Sequence, residues 1–427
     1  MKFTKPLWRA GAILGMALAF PALAAQGTMG VQASTPLPEL SSTFLSSAHV
    51  LGDSTGPKGA IGTGQRNQNF SQPLNLDSIP SFTQLYFKQG FDGYGNATNT
   101  WYTNSVGNAP NLGGTTTIDA PVVPVTLNLL DPSGNVLATY SPSQYVNPVM
   151  NSPVFQNYSY RSSSTPTQFN DAFLRTEYYN QASSNWHTML SGHVVTGRTM
   201  NVPYGYYYAI PNANGTCCLA VLMDINAFGN LLFPSTPTDT TTPIGAAEHA
   251  GQMTTHSITT FLFPNTFLYF GNPNNCCVLG YHSWDYEPGD ATNGYRTRAY
   301  VMNYSSWISP GLFGAGFQDI TALSHEMSET FADPFVVADG IHDMTPWWQA
   351  PNGNCQDNLE VGDVIEGLPN ATYPISMNGY TYHPQNVALN QWFEGQAHSS
   401  ALGGAYSFPN PFVLPQTAVS QPYNCTP

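Results

Sequence analysis

His325 and Glu329 stand one helical turn apart, and Glu326 directly follows the histidine, giving the pattern H-E-x-x-E within the run SHEMSETFADPF. In the related metal-binding pattern H-E-x-x-H, two residues at i and i+4 on one helix face hold Zn²⁺ and the intervening glutamate polarises a water. Read in the same way, His325 and Glu329 are expected metal ligands and Glu326 the general base. A third ligand is expected downstream, where residues 355–366 read CQDNLEVGDVIE and carry Asp357, Glu360, Asp363 and Glu366. Glu360 is the expected third ligand, with Asp363 as its substitute or as a partner that orients an imidazole. Hard oxygen donors suit Ca²⁺ at least as well as Zn²⁺, so Ca²⁺ stays open beside Zn²⁺. Two anionic ligands would leave a metal less Lewis-acidic than a site with two histidines, which predicts modest turnover.

These residues need a helix to carry them. Asp319 is the expected N-cap and Pro334 the stop, so the helix is placed over 319–332. Ile320, Leu323, Met327 and Phe331 make an apolar stripe, while His325 and Glu329 share another face with Ala322 and Ala332. Such a helix is expected to be covered on both sides, and a buried ion then needs a partner. His282 could supply a further ligand or orient the water, against an ordinary hydrogen-bonded role. His342, between Asp339 and Asp343, is a remoter option. His249, His256, His383 and His398 show no partner spacing. Trp347, Trp348, Trp392 and Tyr286 read as core or cleft wall.

The helix in turn needs a scaffold. Val122–Leu130 and Asn135–Tyr140 around an Asp-Pro-Ser-Gly turn predict a hairpin. Gln168–Asn180 has helical spacing, and Ile258–Phe270 and Arg298–Tyr304 are strand-like. Residues 25–115, rich in Gly, Ser, Asn, Thr and Pro, read as a loop-rich arm or propeptide-like segment. Residues 116–234 read as a β-rich region with one helix, 235–243 as a linker or long surface loop, and 244–427 as the region of the metal site.

The export signal is local. Lys2, Lys5 and Arg9 precede an apolar stretch over 10–20, a break at Pro21 and the small-x-small site Ala22-Leu23-Ala24, which predicts a secretory leader over 1–24. The protein is then expected outside the cytoplasm, extracellular or periplasmic. No later stretch reaches 18 apolar residues, so no membrane span is expected. Six cysteines, Cys217, Cys218, Cys276, Cys277, Cys355 and Cys425, suggest disulfides in an exported chain. On extended strands the adjacent cysteines would point to opposite faces and seek different partners.

Charge is sparse and concentrated. Only 8% of the 427 residues are Asp, Glu, Lys or Arg, with 11 Lys and Arg against 25 Asp and Glu. That excludes nucleic acid as a partner, because such binding is built from clustered cations. Removing the leader deletes three cations and no acids, moving the net charge from −14 to −17. Ten of the acids fall within 319–366, which holds no Lys or Arg. So much negative charge in one segment is best explained by a cation.

The combination of SHEMSETFADPF, NCQDNLEVGD, NGYTYHPQNVALNQWF, GAYSFPN and the CVLGYH element resembles a family of secreted bacterial zincin-like proteins with an H-E-x-x-E…E-[IV]-G-D signature. That family is distantly similar to the plant phosphate-induced, exordium-like proteins. The resemblance covers most of residues 165–415, with His325, Glu326, Glu329, Glu360 and Asp363 on the signature. It implies a zincin-like metallopeptidase, or a protein descended from one. The expected fold is α+β: a twisted mixed or antiparallel sheet crossed by the metal-site helix, with β-rich N-terminal material packed on it. Expected partners are a peptide or protein substrate, with cell-wall glycan as an option. The competing expectation is a non-catalytic surface or wall-associated protein with a structural Ca²⁺ or Zn²⁺ site.

Overall fold

The computed structural model describes residues 37–41, 45, 76–91, 95–161, 165–314, 316–336, 348–356 and 358–420. The expected leader over 1–24 lies outside them, as do Asp339, His342, Asp343, Trp347, Asp357 and Cys425.

In chain order, β1 (Leu76–Asp77) leads into a hairpin of β2 (Ser81–Phe91) and β3 (Ala97–Val106). Then come β4 (Thr115–Leu130), β5 (Val136–Tyr140), α1 (Ser143–Met150), α2 (Phe169–Glu177), β6 (His187–Val194), β7 (Arg198–Val202), β8 (Tyr207–Ile210) and β9 (Ala220–Asp224). After α3 (Ile225–Leu232) and α4 (Pro243–His249) follow β10 (Ile258–Pro264), β11 (Thr266–Tyr269), β12 (Cys276–Val278), β13 (Gly280–Glu287), β14 (Thr297–Phe313) and α5 (Thr321–Ala332). The architecture is mixed α+β, with few helices around one large sheet.

That sheet is mainly parallel. β6 and β7 run parallel along one side of β4, β10 runs parallel along the other, and β14 is parallel to β10. β13 closes the far side antiparallel to β14, pairing His282 with Asn303 and Gly280 with Ser305. The β4–β5 hairpin forms as its turn predicts: Asp131 Oδ1 accepts the N–H groups of Ser133 and Asn135, each at 2.8 Å.

Alternation along the strands builds two cores. Ile118, Ala120, Val122, Ile258, Leu262, Ala299 and Val301 face α5, whose Leu323, Met327 and Phe331 pack on them. Val123, Val125, Leu127, Phe261, Phe263, Met302 and Tyr304 face the other way, onto α3, α4 and a smaller sheet of β8, β9, β11 and β12.

Several expectations are corrected here. The 25–115 segment is not only loop: the β2–β3 hairpin buries Trp101 completely, and Phe82 and Val106 join the core under α5. The 235–243 run is not a tether, because β4 and β10, from either side of it, are neighbours in one sheet. It is a tight loop around Asp239, which accepts from Ser235 and Thr241, followed by Thr242 capping α4. Asp319 is not an N-cap. It ends the short strand Phe317–Asp319 with φ of 47°, and its carboxylate accepts from the Ile320 and His383 N–H groups and contacts His383 Nδ1 at 2.7 Å. The adjacent cysteines do not seek distant partners. Cys217 bonds to Cys218 and Cys276 to Cys277, each pair across a cis peptide. Cys355 is disulfide-bonded as well.

Candidate metal centre

All twelve residues of α5 are buried, covered by the sheet on one side and by residues 359–389 on the other. A helix so placed must satisfy its own hydroxyls. Ser324, Ser328 and Thr330 do so by donating to the carbonyls of Thr321, Ser324 and Glu326. The i, i+4 spacing brings His325 Nε2 to 3.1 Å from Glu329 Oε2.

The second wall is residues 359–366. Leu359, Val361, Val364 and Ile365 anchor it in the core, which turns Glu360 and Asp363 toward α5. Gly362 lies flat on the His325 imidazole: a Cβ there would come within 2.6 Å of Nδ1. Its N–H donates to Glu329 Oε1 at 2.9 Å. The third wall is β13, where Gly280 leaves room for Glu326, whose Oε1 would sit 2.5 Å from a Cβ at that position. On the same face of β13, two residues on, His282 points into the cluster. Opposite it on β14 the α5-facing positions are Asn303 and Ser305 rather than apolar residues.

Each ligand-type group is held from behind. His282 Nε2 donates to the Asp333 carbonyl at 3.0 Å, which leaves Nδ1 as the lone-pair nitrogen in the neutral ring. That Nδ1 lies 3.6 Å from Glu329 Oε2, 3.7 Å from Glu360 Oε2 and 4.0 Å from Glu326 Oε2. Gln385 donates through Nε2 to the Gly362 carbonyl at 2.8 Å, which fixes its Oε1 as acceptor for His325 Nδ1–H at 3.0 Å. His325 Nε2 therefore presents its lone pair to Glu329 and to Asp363 Oδ1, the latter at 3.4 Å. The carboxylates follow one rule: one oxygen is anchored and the other faces inward. Glu329 Oε1 takes the Gly362 and Asp363 N–H groups, Glu360 Oε1 takes the Asn358 amide, and Asp363 Oδ2 takes the Gln356 amide.

Two lone-pair nitrogens facing carboxylate oxygens would repel without a positive charge between them. Burial pushes His325 down, but Glu329 and Glu326 pull it well above its ordinary range. Burial pushes Glu329 up, and His325 and His282 pull it well below the ordinary carboxylate range. The cluster demands a cation, whether a proton or a metal ion.

A metal ion fits the donors. Two overlapping triads, His282–Glu326–Glu329 and His325–Glu329–Asp363, each bring their ligand atoms within 4.8 Å of one another and meet at Glu329. Zinc bonds of about 2.0–2.1 Å in a tetrahedron set neighbouring donors about 3.3 Å apart. The 3.1–3.6 Å contacts around Glu329 Oε2 and His325 Nε2 match that spacing. Two imidazoles also favour zinc over calcium, which takes oxygen ligands. His282, which the sequence offers as a candidate further ligand, stands in the cluster with Nδ1 toward Glu329.

The structure therefore brings His325, Glu326, Glu329, Glu360, Asp363 and His282 into one cluster. His383 proves to have a partner, Asp319, and Trp348 and Trp392 are core residues in edge-to-face contact. Sequence reasoning missed Gln385, which acts across 60 residues of chain where no spacing signals it, and also the nearby amides of Gln356 and Asn358, on Asp363 and Glu360. A narrow cleft bordered by Leu279, Gly280, Ala322, His325, Glu326 and Gln385 reaches the cluster from solvent. His325 and Glu326 are the cluster residues at its floor, 5% and 2% exposed. No family model, curated protein or solved structure matches the chain.

Proposed function

We propose that the chain is an exported zinc-dependent hydrolase of the metallopeptidase type, acting on peptide or protein substrates. The observation that carries this reading is the pair of imidazoles, each locked in the tautomer that turns a lone pair toward carboxylates, beside a cleft that ends on Glu326. The zincin-like reading of the fold draws its support from α5 lying across a twisted sheet with H-E-x-x-E facing the E-V-G-D segment. Export rests on the leader pattern over residues 1–24.

His325, Glu329 and Asp363 would hold the metal, with His282 and Glu360 able to complete the shell from the β13 side. Zinc, when bound, supplies Lewis-acid polarisation of a carbonyl and of water. The chain's own part is proton handling and positioning. Glu326 Oε2 accepts a proton from the attacking water and returns it to the leaving amine, while Oε1 is steadied against Gly280. Gln385 and the Asp333 carbonyl keep the imidazoles from turning. Leu279 and Ala322 narrow the cleft and limit water.

A second reading, a structural metal site in a non-catalytic secreted protein, is favoured by how little of the cluster reaches solvent. One experiment separates the two. Purified protein is assayed for bound metal and for cleavage of an unstructured protein substrate. The expected results are zinc bound by the wild type and lost in His325→Ala, and a Glu326→Gln variant that keeps zinc while cleavage falls at least ~100-fold. Zinc retained with no cleavage in the wild type would leave the structural reading. No metal in the wild type would overturn both.

A further inference from the structure

A second cavity shares no residue with the metal cleft. It lies where the C-terminal end of α2 meets the short helix Asn390–Glu394 and Gln84 of β2, and it has a volume of about 180 Å³ and is partly open to solvent.

Amides and a histidine (Gln84, Asn180, Gln181, Gln396, His398) line its rim, yet three buried acceptors on its wall receive no donor among the described residues. Glu177 is 3% exposed; its Oε1 accepts the Asn390 N–H at 2.9 Å, and its Oε2 has no hydrogen-bond partner among the described residues. Asn390, 2% exposed, donates its amide to Tyr178 Oη at 3.0 Å, and Gln391 donates its amide to the Glu177 carbonyl at 2.6 Å. Both amide N–H₂ groups are thus turned into the protein, and Asn390 Oδ1 and Gln391 Oε1 have no partner among the described residues. Three acceptors are left over around one cavity. Charge is unbalanced too: Lys88 offsets the second carboxyl there, Glu394, whereas burial and Glu394 push the Glu177 carboxyl well above the ordinary carboxylate range with no cation to pull it back. A buried acceptor without a donor, and a buried carboxylate without a cation, are both costly.

We propose that this cavity binds a primary ammonium group, seated on Glu177 with Asn390 and Gln391 as its other acceptors. A primary ammonium brings three N–H donors and one positive charge, matching three leftover acceptors and one uncompensated carboxylate. A neutral hydroxyl ligand supplies donors but not the charge. The group can come from a lysine side chain or from an amino sugar.

Calorimetric titration of the full zinc-loaded chain tests this with Nα-acetyl-lysine amide, glucosamine and the uncharged isostere Nα-acetyl-norleucine amide. The expected result is that one of the two ammonium compounds binds at least ~10-fold more tightly than the isostere, and which one does so identifies the source. Glu177→Gln should weaken that binding at least ~10-fold with metal content unchanged. Should that variant fail to fold, Gln391→Leu, on the partly exposed rim, should weaken it in the same sense. Equal binding of the isostere, no binding of either ammonium compound, or unchanged affinity in the folded variants would overturn the proposal.

Discussion

At the scale of single residues, the centre depends as much on absent side chains as on ligands. Gly362 and Gly280 let backbone lie against His325 and Glu326, where a Cβ would fall at 2.6 and 2.5 Å. Gly362→Ala must push the imidazole or the 359–366 segment aside. The expected outcome is at least ~10-fold weaker zinc binding, read by competition with a chromogenic chelator, since disturbing the groups that orient ligands costs about that much. Unchanged affinity would mean that the imidazole is not held as described. His325, Glu326, Glu329, Glu360 and Asp363 were legible in the sequence because their signal is local: a helical turn, and four acids in twelve residues. Gln385 and the inward aim of His282 were not, because each depends on contacts between segments 50 or more residues apart.

At the scale of elements, α5 is held by packing rather than by its ends. Ile320 at its N-cap makes no side-chain cap bond, and the whole helix is buried. Met327, fully buried between the sheet and the 359–365 segment, is therefore a stability position. Met327→Ala should cost about 2–5 kcal/mol in chemical denaturation, through lost burial and the cavity left behind. A cost below 1 kcal/mol would show that α5 is not clamped from both sides. The strands around it were legible one by one from their β-branched and aromatic runs. Their order was not, since β4 pairs with β10 more than 130 residues later and local pattern does not name a partner. The Asp319 cap was misread for a related reason: its carboxylate is taken by His383, from a distant turn.

At the scale of the molecule, negative charge is gathered inside. Asp319, Glu326, Glu329, Asp333, Glu360, Asp363 and Glu366 are all buried. A metal that binds only the folded chain stabilises it by about 4 kcal/mol at a thousandfold excess over Kd. Chelation should accordingly lower the melting temperature and zinc restore it; indifference to chelator would remove the metal from the account. A second charged site makes stability depend on pH. Burial pushes Glu394 up from 4.5 to about 7, with Lys88 pulling it back only in part. Between pH 4.5 and 7 the folded chain thus keeps a proton that the unfolded chain has lost. Stability falls as pH rises through that window, and the deficit, roughly 3 kcal/mol at most, persists above it. Glu394→Gln removes the titration. Compared with wild type, the variant should gain roughly 1–3 kcal/mol at pH 8 and nothing at pH 4.5, a difference from which the metal contribution cancels. A gain that did not depend on pH would mean that Glu394 titrates normally in the folded protein.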